Sequence, residues 1–393
     1  MNILIVILIL LKLYNILNSK KTSIMDTKKN DKVRIFLCGP TSCQNLHFGH
    51  ARFFFVFDLI ARLLKYYKIQ TIIIVNISDL DPKLFSKAKD NRIDPHLFVE
   101  RNITDFLELT KQLNFSEGMI FAKVSEFIPQ MINIIQSFLC EKDAYQSFGN
   151  IYLDKGKKIE NLSEKVKKEI SSTRFDIGLG KKNSHDILLW NGADAVDYFY
   201  PGGGNLGNGI PWWHIQDVSV ISNLFGGKYD IHGGGSDLII PHHENINSIL
   251  SKLNKNFRHP RFWIHVGLVY YKKKKMSKSA NNGIKIKELL RKYNSNTLKL
   301  YSYSKHYRSS MSFNERELKD YQKLDCKIQE YIINFEHSLV DTKKENSVFN
   351  KFLNCLNDDL NTMEAIKLLK EALYERYSYK DISKMVKILG LKY

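Results

Sequence analysis

A pair of histidines is the first feature of this sequence that could bind phosphate. His47 and His50 lie in the segment Leu46-His47-Phe48-Gly49-His50, between a predicted strand and a predicted helix. Open α/β sheets bind ligands at that place, where the helix start offers free N–H groups and a positive dipole end. Because residues three apart share a helix face, both histidines can reach one triphosphate. On its own, the pair also fits ordinary capping or surface histidines.

A run of lysines supplies the second feature. Lys275 and Lys278 belong to Lys275-Met276-Ser277-Lys278-Ser279, and three further lysines directly precede this segment. A lysine-rich turn can close over phosphates and neutralise the charge that develops during nucleotidyl transfer. The alternative interpretation is a solvated basic loop or a localisation signal. Its combination with the histidine pair favours the phosphate-binding interpretation.

The histidine pair requires a strand and a helix to position it. Residues Val33–Leu37 alternate between apolar and polar, as a strand does, and Thr71–Val75 is the continuous apolar run of a strand buried on both faces. Between them, apolar residues recur every three or four positions, which predicts a helix. The three elements form a βαβ unit.

The remaining patterns predict the architecture. Residues 101–140 show helical periodicity, residues 191–212 are rich in Gly and Asn and predict a long loop, and Ile264–Tyr271 resembles another buried strand. After residue 312 the pattern is helical throughout. The predicted fold class is α/β, with a Rossmann-type parallel-sheet catalytic domain, an α-rich insertion and a following all-α helical bundle.

Composition narrows the class of protein. The 393 residues are 44% hydrophobic, which excludes a disordered or collagen-like chain, and the net charge of +18 favours an anionic partner such as nucleic acid or a polyphosphate. The five cysteines are scattered and form no CxxC pair, so a disulfide framework is not expected.

The N-terminus predicts a targeting segment. Residues Ile3–Leu11 are nine apolar residues in a row, fewer than the roughly 20 that span a bilayer. We therefore expect either a leader for an organelle, plastid-like or mitochondrial, or an extension with translation starting at Met25 in a cytoplasmic protein. Residues 1–30 are set aside from the fold prediction, and no stable membrane association is expected for the mature domain.

The two phosphate-binding motifs, in this order, are the paired signature of class I aminoacyl-tRNA synthetases. Further segments make the resemblance narrower: from about residue 33 to its end, the chain resembles cysteinyl-tRNA synthetase. The segments that carry this resemblance are Phe36-Leu-Cys38-Gly-Pro-Thr41, His47-Phe-Gly-His50-Ala-Arg52, Asn76-Ile-Ser-Asp79-Leu-Asp81, Trp213-His214-Ile215-Gln216, Asp230-Ile-His232-Gly-Gly-Gly-Ser-Asp237, Pro241-His242-His243-Glu244-Asn245, His306-Tyr307-Arg308-Ser309 and Asp358-Asp359-Leu360-Asn361-Thr362.

The resemblance implies an activity and a set of site residues. Cysteine would be activated with ATP and Mg²⁺ to cysteinyl adenylate and then joined to the terminal adenosine of tRNA(Cys). The implied catalytic residues are His47, His50, Lys275 and Lys278. The residues implied to bind ATP are His47, Gly49, His50, Gly233, Gly234, Gly235, Asp237 and Lys278. Those implied to bind the amino acid are Cys38, Thr41, Trp213, His214 and Asp237.

The resemblance also implies a zinc ion that binds the substrate thiolate, held by two cysteines, a histidine and a glutamate. Cys38 and His242 match two of these ligands, whereas Asp217 stands at the second cysteine and Ile246 at the glutamate. On a regular helix His243 would point about 100° away from His242 and replace neither. Cys38, Asp217 and His242 could still hold Zn²⁺ with one place open. The other interpretation is that the metal has been lost.

The implied domains are a leader or extension over 1–30, a class I catalytic domain over 31–280 with an insertion at about 101–205, a connecting segment over 281–311 and a tRNA-binding helical bundle over 312–393. We expect the chain to lack the small C-terminal domain that many members use on the anticodon. Two alternatives therefore stay open. One is a cysteine ligase with a small amine acceptor, and the other is a catalytically degenerate paralogue that binds RNA or a protein partner.

Overall fold

The computed structural model describes residues 11–24, 32–40, 46–115, 118–156, 180–192, 199–254, 260–276, 282–335 and 347–393. The strands are β1 Lys12–Asn15, β2 Lys20–Ser23, β3 Lys32–Leu37, β4 Gln70–Ile77, β5 Met119–Lys123, β6 Ala144–Ser147, β7 Asn150–Leu153, β8 Ile187–Gly192, β9 Tyr200–Pro201, β10 Asn208–Pro211, β11 Ile231–Gly235, β12 Phe262–Val266, β13 Val269–Tyr271, β14 Lys274–Lys275 and β15 Met311–Ser312. The helices are α1 Phe48–Tyr66, α2 Pro82–Asp90, α3 Pro95–Gln112, α4 Ile128–Cys140, α5 Trp213–Phe225, α6 Glu244–Leu253, α7 Ile286–Leu289, α8 Ser295–Ser302, α9 Glu315–Phe335, α10 Ser347–Asn357, α11 Thr362–Tyr374 and α12 Tyr379–Ile388.

A five-stranded parallel sheet forms the centre of the molecule, in the order β12-β11-β3-β4-β5. Strands β3 and β4 and the intervening helix α1 confirm the predicted βαβ unit. In the central strand β3, Ile35 lies opposite Ile73 of β4 and opposite Ile231 of β11, so the middle of the sheet is apolar across these three strands. Helix α1 is buried around most of its circumference, as expected of a helix apolar on every face. This packing fixes the direction in which its N-terminus points.

The stretch predicted as an α-rich insertion contains helices α3 and α4, and it also contains strands that the periodicity missed. Strand β5 is short and half-buried, so it shows no strand signal, yet it extends the parallel sheet. Residues 144–211 contribute an antiparallel sheet in the order β6-β7-β8-β10-β9. Strand β10 lies in the region predicted as a loop. Its Gly209 is required by packing, because a Cβ there would lie 2.2 Å from the Trp190 indole nitrogen.

The predicted strand Ile264–Tyr271 is two strands, β12 and β13, which end and begin on either side of Gly267. A Cβ at Gly267 would lie 2.4 Å from the Ser309 carbonyl oxygen. The chain leaves the sheet at this close approach. Fully buried Arg52 fixes the junction, donating to the carbonyls of Gly267 at 2.8 Å, His306 at 2.9 Å and Ser309 at 2.9 Å.

Residues 11–24 correct the sequence prediction, which set aside everything up to residue 30. Strands β1 and β2 form an antiparallel hairpin, and Leu11, Leu13 and Ile24 are buried in the main hydrophobic core. The apolar run Ile3–Leu11 lies outside the described residues apart from Leu11, so the expectation of a leader stays a prediction. The helical pattern after residue 312 is confirmed by α9 to α12. Among the residues described, no helix has both the length and the apolar character needed to cross a membrane.

Candidate active site

The histidine motif at the start of α1 lies against the segment that follows the lysine motif. His47 caps α1: its Nδ1 accepts from the Gly49 N–H at 3.1 Å, and the Nδ1 of His50 accepts from the His47 N–H at 3.2 Å. The two rings lie 3.8 Å apart. Lys285, in the segment after the lysine motif, pairs with His47 in an antiparallel bridge. A Cβ at Gly283 would contact the His47 ring at 3.2 Å.

Lys275 contacts Asp237, another residue implied to bind ATP. Its Nζ lies 2.6 Å from the Asp237 Oδ2, and both side chains are about one-third exposed. The Lys275 carbonyl accepts from Asn282 Nδ2 at 2.9 Å, which connects the start of the lysine motif to the segment that follows it. Thr41 and Lys278 lie outside the described residues.

The glycines of β11 make room for protein side chains. A Cβ at Gly233 would lie 2.2 Å from the Phe57 ring, and one at Gly234 would lie 2.3 Å from the His243 ring. Both glycines are buried between β3 and β12. Packing alone therefore requires glycine at these two positions, for which the resemblance implies ATP binding. Gly235 is half-buried and adjoins Asp237.

A thiol, a carboxylate and an imidazole meet beyond the end of β3. The Cys38 thiol donates to the Asp217 Oδ2 at 3.3 Å, and the His242 Nε2 lies 2.9 Å from the same oxygen. The other Asp217 oxygen accepts from the Asn76 side-chain amide. All four side chains are buried. Burial raises the pKa of the Cys38 thiol well above its usual value, and the neighbouring Asp217 raises it further, so the thiol carries its proton.

The carboxylate sets the tautomers of two histidines. Because Asp217 only accepts, we assign the proton of His242 to Nε2, which leaves Nδ1 as an acceptor. His214 then donates from Nδ1 to His242 Nδ1 at 2.9 Å, and its Nε2 accepts from Asn245 Nδ2 at 3.1 Å. Trp213 stacks on the His242 ring at 4.1 Å with an interplanar angle of 7°. The structure thus brings together Cys38, Trp213, His214, Asp217 and His242, five residues predicted from widely separated segments.

A second group of aromatic and imidazole rings lines the other side of Cys38. His232 Nε2 lies 3.3 Å from the Cys38 Sγ, and its Nδ1 lies 2.8 Å from the Tyr229 hydroxyl. Trp263 stacks on His232 at 5.0 Å, and His265 Nε2 lies 2.8 Å from His243 Nδ1. The sequence analysis assigned no role to these residues. His232 stood in a quoted motif, but Tyr229, Trp263 and His265 carry no spacing signal, because different strands and loops supply them.

Burial keeps this second group uncharged. It lowers the pKa of His232 and His243 well below the usual range, and the nearby histidines lower both further. Burial also lowers the pKa of His265 to about 3. Neutral imidazoles are the form that ligates metals.

Two overlapping groups of side chains have donor atoms close enough for one metal ion. They are Cys38 with Asp217 and His242, and Cys38 with His232 and His243; within each, the atoms lie within 4.8 Å of one another. Thiolate, imidazole and carboxylate are the donors that zinc takes. Ile246 is fully buried in the apolar core and offers no ligand. His243 lies nearer Cys38 than predicted, because the turn before it is not a regular helix: Ile240 has extended backbone angles.

The parallel sheet, with the histidine motif at the start of α1 and the lysine motif beside it, defines a class I aminoacyl-tRNA synthetase. A methionyl-tRNA synthetase from Mycobacterium tuberculosis in complex with methionyl-adenylate has the same fold, with a TM-score of 0.64 at 12% identity over 91% of this chain and 88% of that one.

The comparisons of sequence identify the family within this class. Residues 24–323 match the family described as tRNA synthetases class I (C) catalytic domain. A cysteine–tRNA ligase from Buchnera aphidicola subsp. Cinara cedri is 35% identical over 92% of this chain and 79% of its own length. A cysteine–tRNA ligase from Methanococcus vannielii is 30% identical over 95% of this chain and 82% of its own length. The chain belongs to the cysteine–tRNA ligase family.

Proposed function

We propose that the chain activates cysteine with ATP and Mg²⁺ to cysteinyl adenylate and then transfers it to tRNA(Cys). One observation carries the proposal. The nucleotide motifs at the start of α1 and the buried thiol cluster around Cys38 both follow β3, so they lie at the same edge of the parallel sheet. An amino-acid side chain bound at the cluster would place its carboxylate toward the triphosphate.

The histidine pair supports ATP binding through its tautomers. Because the Nδ1 atoms of His47 and His50 both accept backbone N–H groups, the neutral rings carry their protons on Nε2. An imidazole N–H is the kind of donor that a phosphate oxygen accepts, and the start of α1 adds a favourable dipole. Lys278 and Lys275 would add positive charge as pyrophosphate leaves. The implied catalysis is positioning and electrostatic stabilisation, without a covalent enzyme intermediate.

The donor set around Cys38 fits a zinc ion. Cys38, Asp217 and His242 would hold it with one place open, the usual arrangement of a catalytic zinc site. A bound zinc ion would supply a Lewis acid for the sulfur of the substrate. Asn76 holds the Asp217 carboxylate in place, and Trp213 holds the His242 ring by stacking. Without a metal, shape and weak contacts would have to separate cysteine from serine and alanine, which is worth only about 1–3 kcal/mol.

The test is amino-acid-dependent ATP–pyrophosphate exchange with cysteine, serine and alanine, with zinc measured in the same sample. We expect exchange with cysteine and, in a second assay, charging of tRNA(Cys) transcript. Exchange without charging, together with cysteine transfer to a small amine, would support the small-amine ligase. A folded protein that exchanges with no amino acid would overturn the proposal in favour of a degenerate binding paralogue.

A further inference from the structure

The hairpin of residues 11–24 covers the outer edge of β12, the last strand of the parallel sheet. Buried Asn15 makes the connection through its side-chain amide: Nδ2 donates to the Arg261 carbonyl at 2.6 Å, and Oδ1 accepts from the Trp263 N–H at 3.2 Å. The side chain thus takes the place of a peptide group of a neighbouring strand. An edge strand otherwise presents unpaired N–H and C=O groups.

The hairpin is also held by the helical part of the chain. The Lys12 carbonyl accepts from the Asp359 N–H at 2.9 Å, and the Tyr14 N–H donates to the Asp359 Oδ1 at 2.8 Å. Arg308 lies over the Tyr14 ring at 4.4 Å and also donates to Asp359, at 2.7 Å from its Nη2. These contacts fix the hairpin against two separate parts of the fold, so its position along β12 is well determined.

Strand β12 in turn lies beside the buried cluster around Cys38. Trp263 stacks on His232, whose Nε2 lies 3.3 Å from the Cys38 Sγ. His265, two residues along the strand, contacts His243. A shift of β12 along or away from β11 would therefore move the rings beside the thiol. Asn15 fixes the outer edge of β12 through its two side-chain hydrogen bonds, and the Ile16 N–H adds a longer one, at 3.5 Å, to the Trp263 carbonyl.

We propose that Asn15 is a positioning residue for amino-acid binding, acting through β12 and Trp263 on the side chains clustered around Cys38. The hairpin is then part of the working enzyme, although its sequence resembles a leader. The assignment of cysteine as the bound amino acid rests on the proposed function. The hydrogen bonds between Asn15 and β12 do not depend on it.

The test compares Asn15→Leu and Lys20→Ala in the full chain. Leucine is close to asparagine in size but makes neither hydrogen bond, whereas Lys20 is an exposed residue of the same hairpin. We expect Asn15→Leu to raise the KM for cysteine about 3- to 10-fold in pyrophosphate exchange, with the KM for ATP unchanged, because one or two buried hydrogen bonds are lost. Lys20→Ala should change neither constant. If Asn15→Leu does not fold, Asn15→Ala takes its place.

A second readout needs no activity. Hydrogen exchange followed by mass spectrometry should show faster exchange of residues 262–266, by about tenfold, in the Asn15 variant and not in the Lys20 variant. Unchanged exchange there, or a lower Tm with an unchanged KM for cysteine, would overturn the proposal and leave the hairpin a purely structural element. Absence of exchange activity in the unsubstituted protein, with β12 still responding to Asn15, would instead count against the proposed function.

Discussion

The Asp217 carboxylate accepts a hydrogen bond from the Cys38 thiol at 3.3 Å and another from the His242 imidazole at 2.9 Å, through the same oxygen. A single carboxylate therefore connects two side chains that come from widely separated segments of the sequence. Metal binding would release the thiol proton of Cys38, and the His242 proton would have to move from Nε2 to Nδ1 so that Nε2 could become a ligand.

Changing Asp217 tests whether that cluster holds zinc. We expect Asp217→Cys to increase zinc affinity by at least about tenfold, because thiolate is the softer and stronger donor for zinc. Asp217→Asn should lower affinity by removing the negative charge. Competition with a chromogenic chelator measures both. Cys140→Ala, at an exposed thiol away from the site, is the control. Equal zinc binding by all four proteins would show that Asp217 is not a ligand.

The pair of Lys275 and Asp237 predicts an effect on ATP use. Replacing Asp237 with Asn removes the partner 2.6 Å from the Lys275 ammonium, so the lysine motif is no longer fixed to the end of β11. We expect a fall of about 10- to 100-fold in kcat/KM for ATP. Because the pair is partly exposed, Tm should change little.

A double-mutant cycle with Lys275→Met measures this coupling. Additive effects of the two substitutions on kcat/KM would mean that the pair has no functional coupling. Lys285→Met and Glu288→Gln, which remove an exposed pair in the same part of the chain, provide the matched control.

The buried histidines predict a loss of stability in acid. His265 has a pKa of about 3 in the folded state and about 6.5 when unfolded, so the unfolded chain binds the proton first. The stability that neutral His265 contributes is fully present above pH 6.5 and is lost as the pH falls toward 3. At pH 5 the free energy of unfolding has fallen by about 2 kcal/mol. The lowered pKa values of His232 and His243 act in the same direction.

Urea unfolding at pH 7.5 and pH 5 measures the effect. His265→Asn should reduce the difference in unfolding free energy between the two pH values, whereas substitution of the exposed His185 should leave it unchanged. A difference of the same size in both variants would rule out His265 as a source of the acid sensitivity.

A chain that starts at Met25 should be less stable than the full chain. It would lack Leu11 and Leu13, two buried leucines worth about 1.5–3 kcal/mol each, and the hydrogen bonds of Asn15. We expect its free energy of unfolding in urea to fall by about 3–6 kcal/mol. A chain that starts at Leu11 should resemble the full chain. Equal stability of all three would show that the hairpin contributes nothing to the fold.

The sequence predicted those parts of the site that depend on local order. His47 and His50 cap one helix, and their spacing alone places both rings at its start. Strand β3 was predicted from its alternation of apolar and polar residues, and β4 from its continuous apolar run. Cys38, Asp217 and His242 were brought together by the resemblance, whereas periodicity says nothing about which loops converge.

The missed features depend on long-range packing. Strand β5 is too short and too exposed to show a strand pattern. Gly209 in β10 is typical of a loop in sequence, and only the structure shows that contact with Trp190 requires glycine there. Tyr229, Trp263 and His265 join the site only because β11 and β12 pair in register. The hairpin was missed for another reason: residues 1–30 were set aside as a leader or an extension, so β1 and β2 were not considered. The organelle destination stays a prediction.

Arg52 has one more consequence. Its guanidinium contacts the carbonyl oxygens of Gly267, His306 and Ser309, and none of their side chains. A junction that recognises main-chain atoms constrains the course of the chain and leaves exposed side chains such as that of Ser309 free to vary. Substitutions at this connection can therefore leave the orientation of the helical part toward the sheet unchanged, provided that Arg52 and Gly267 are kept.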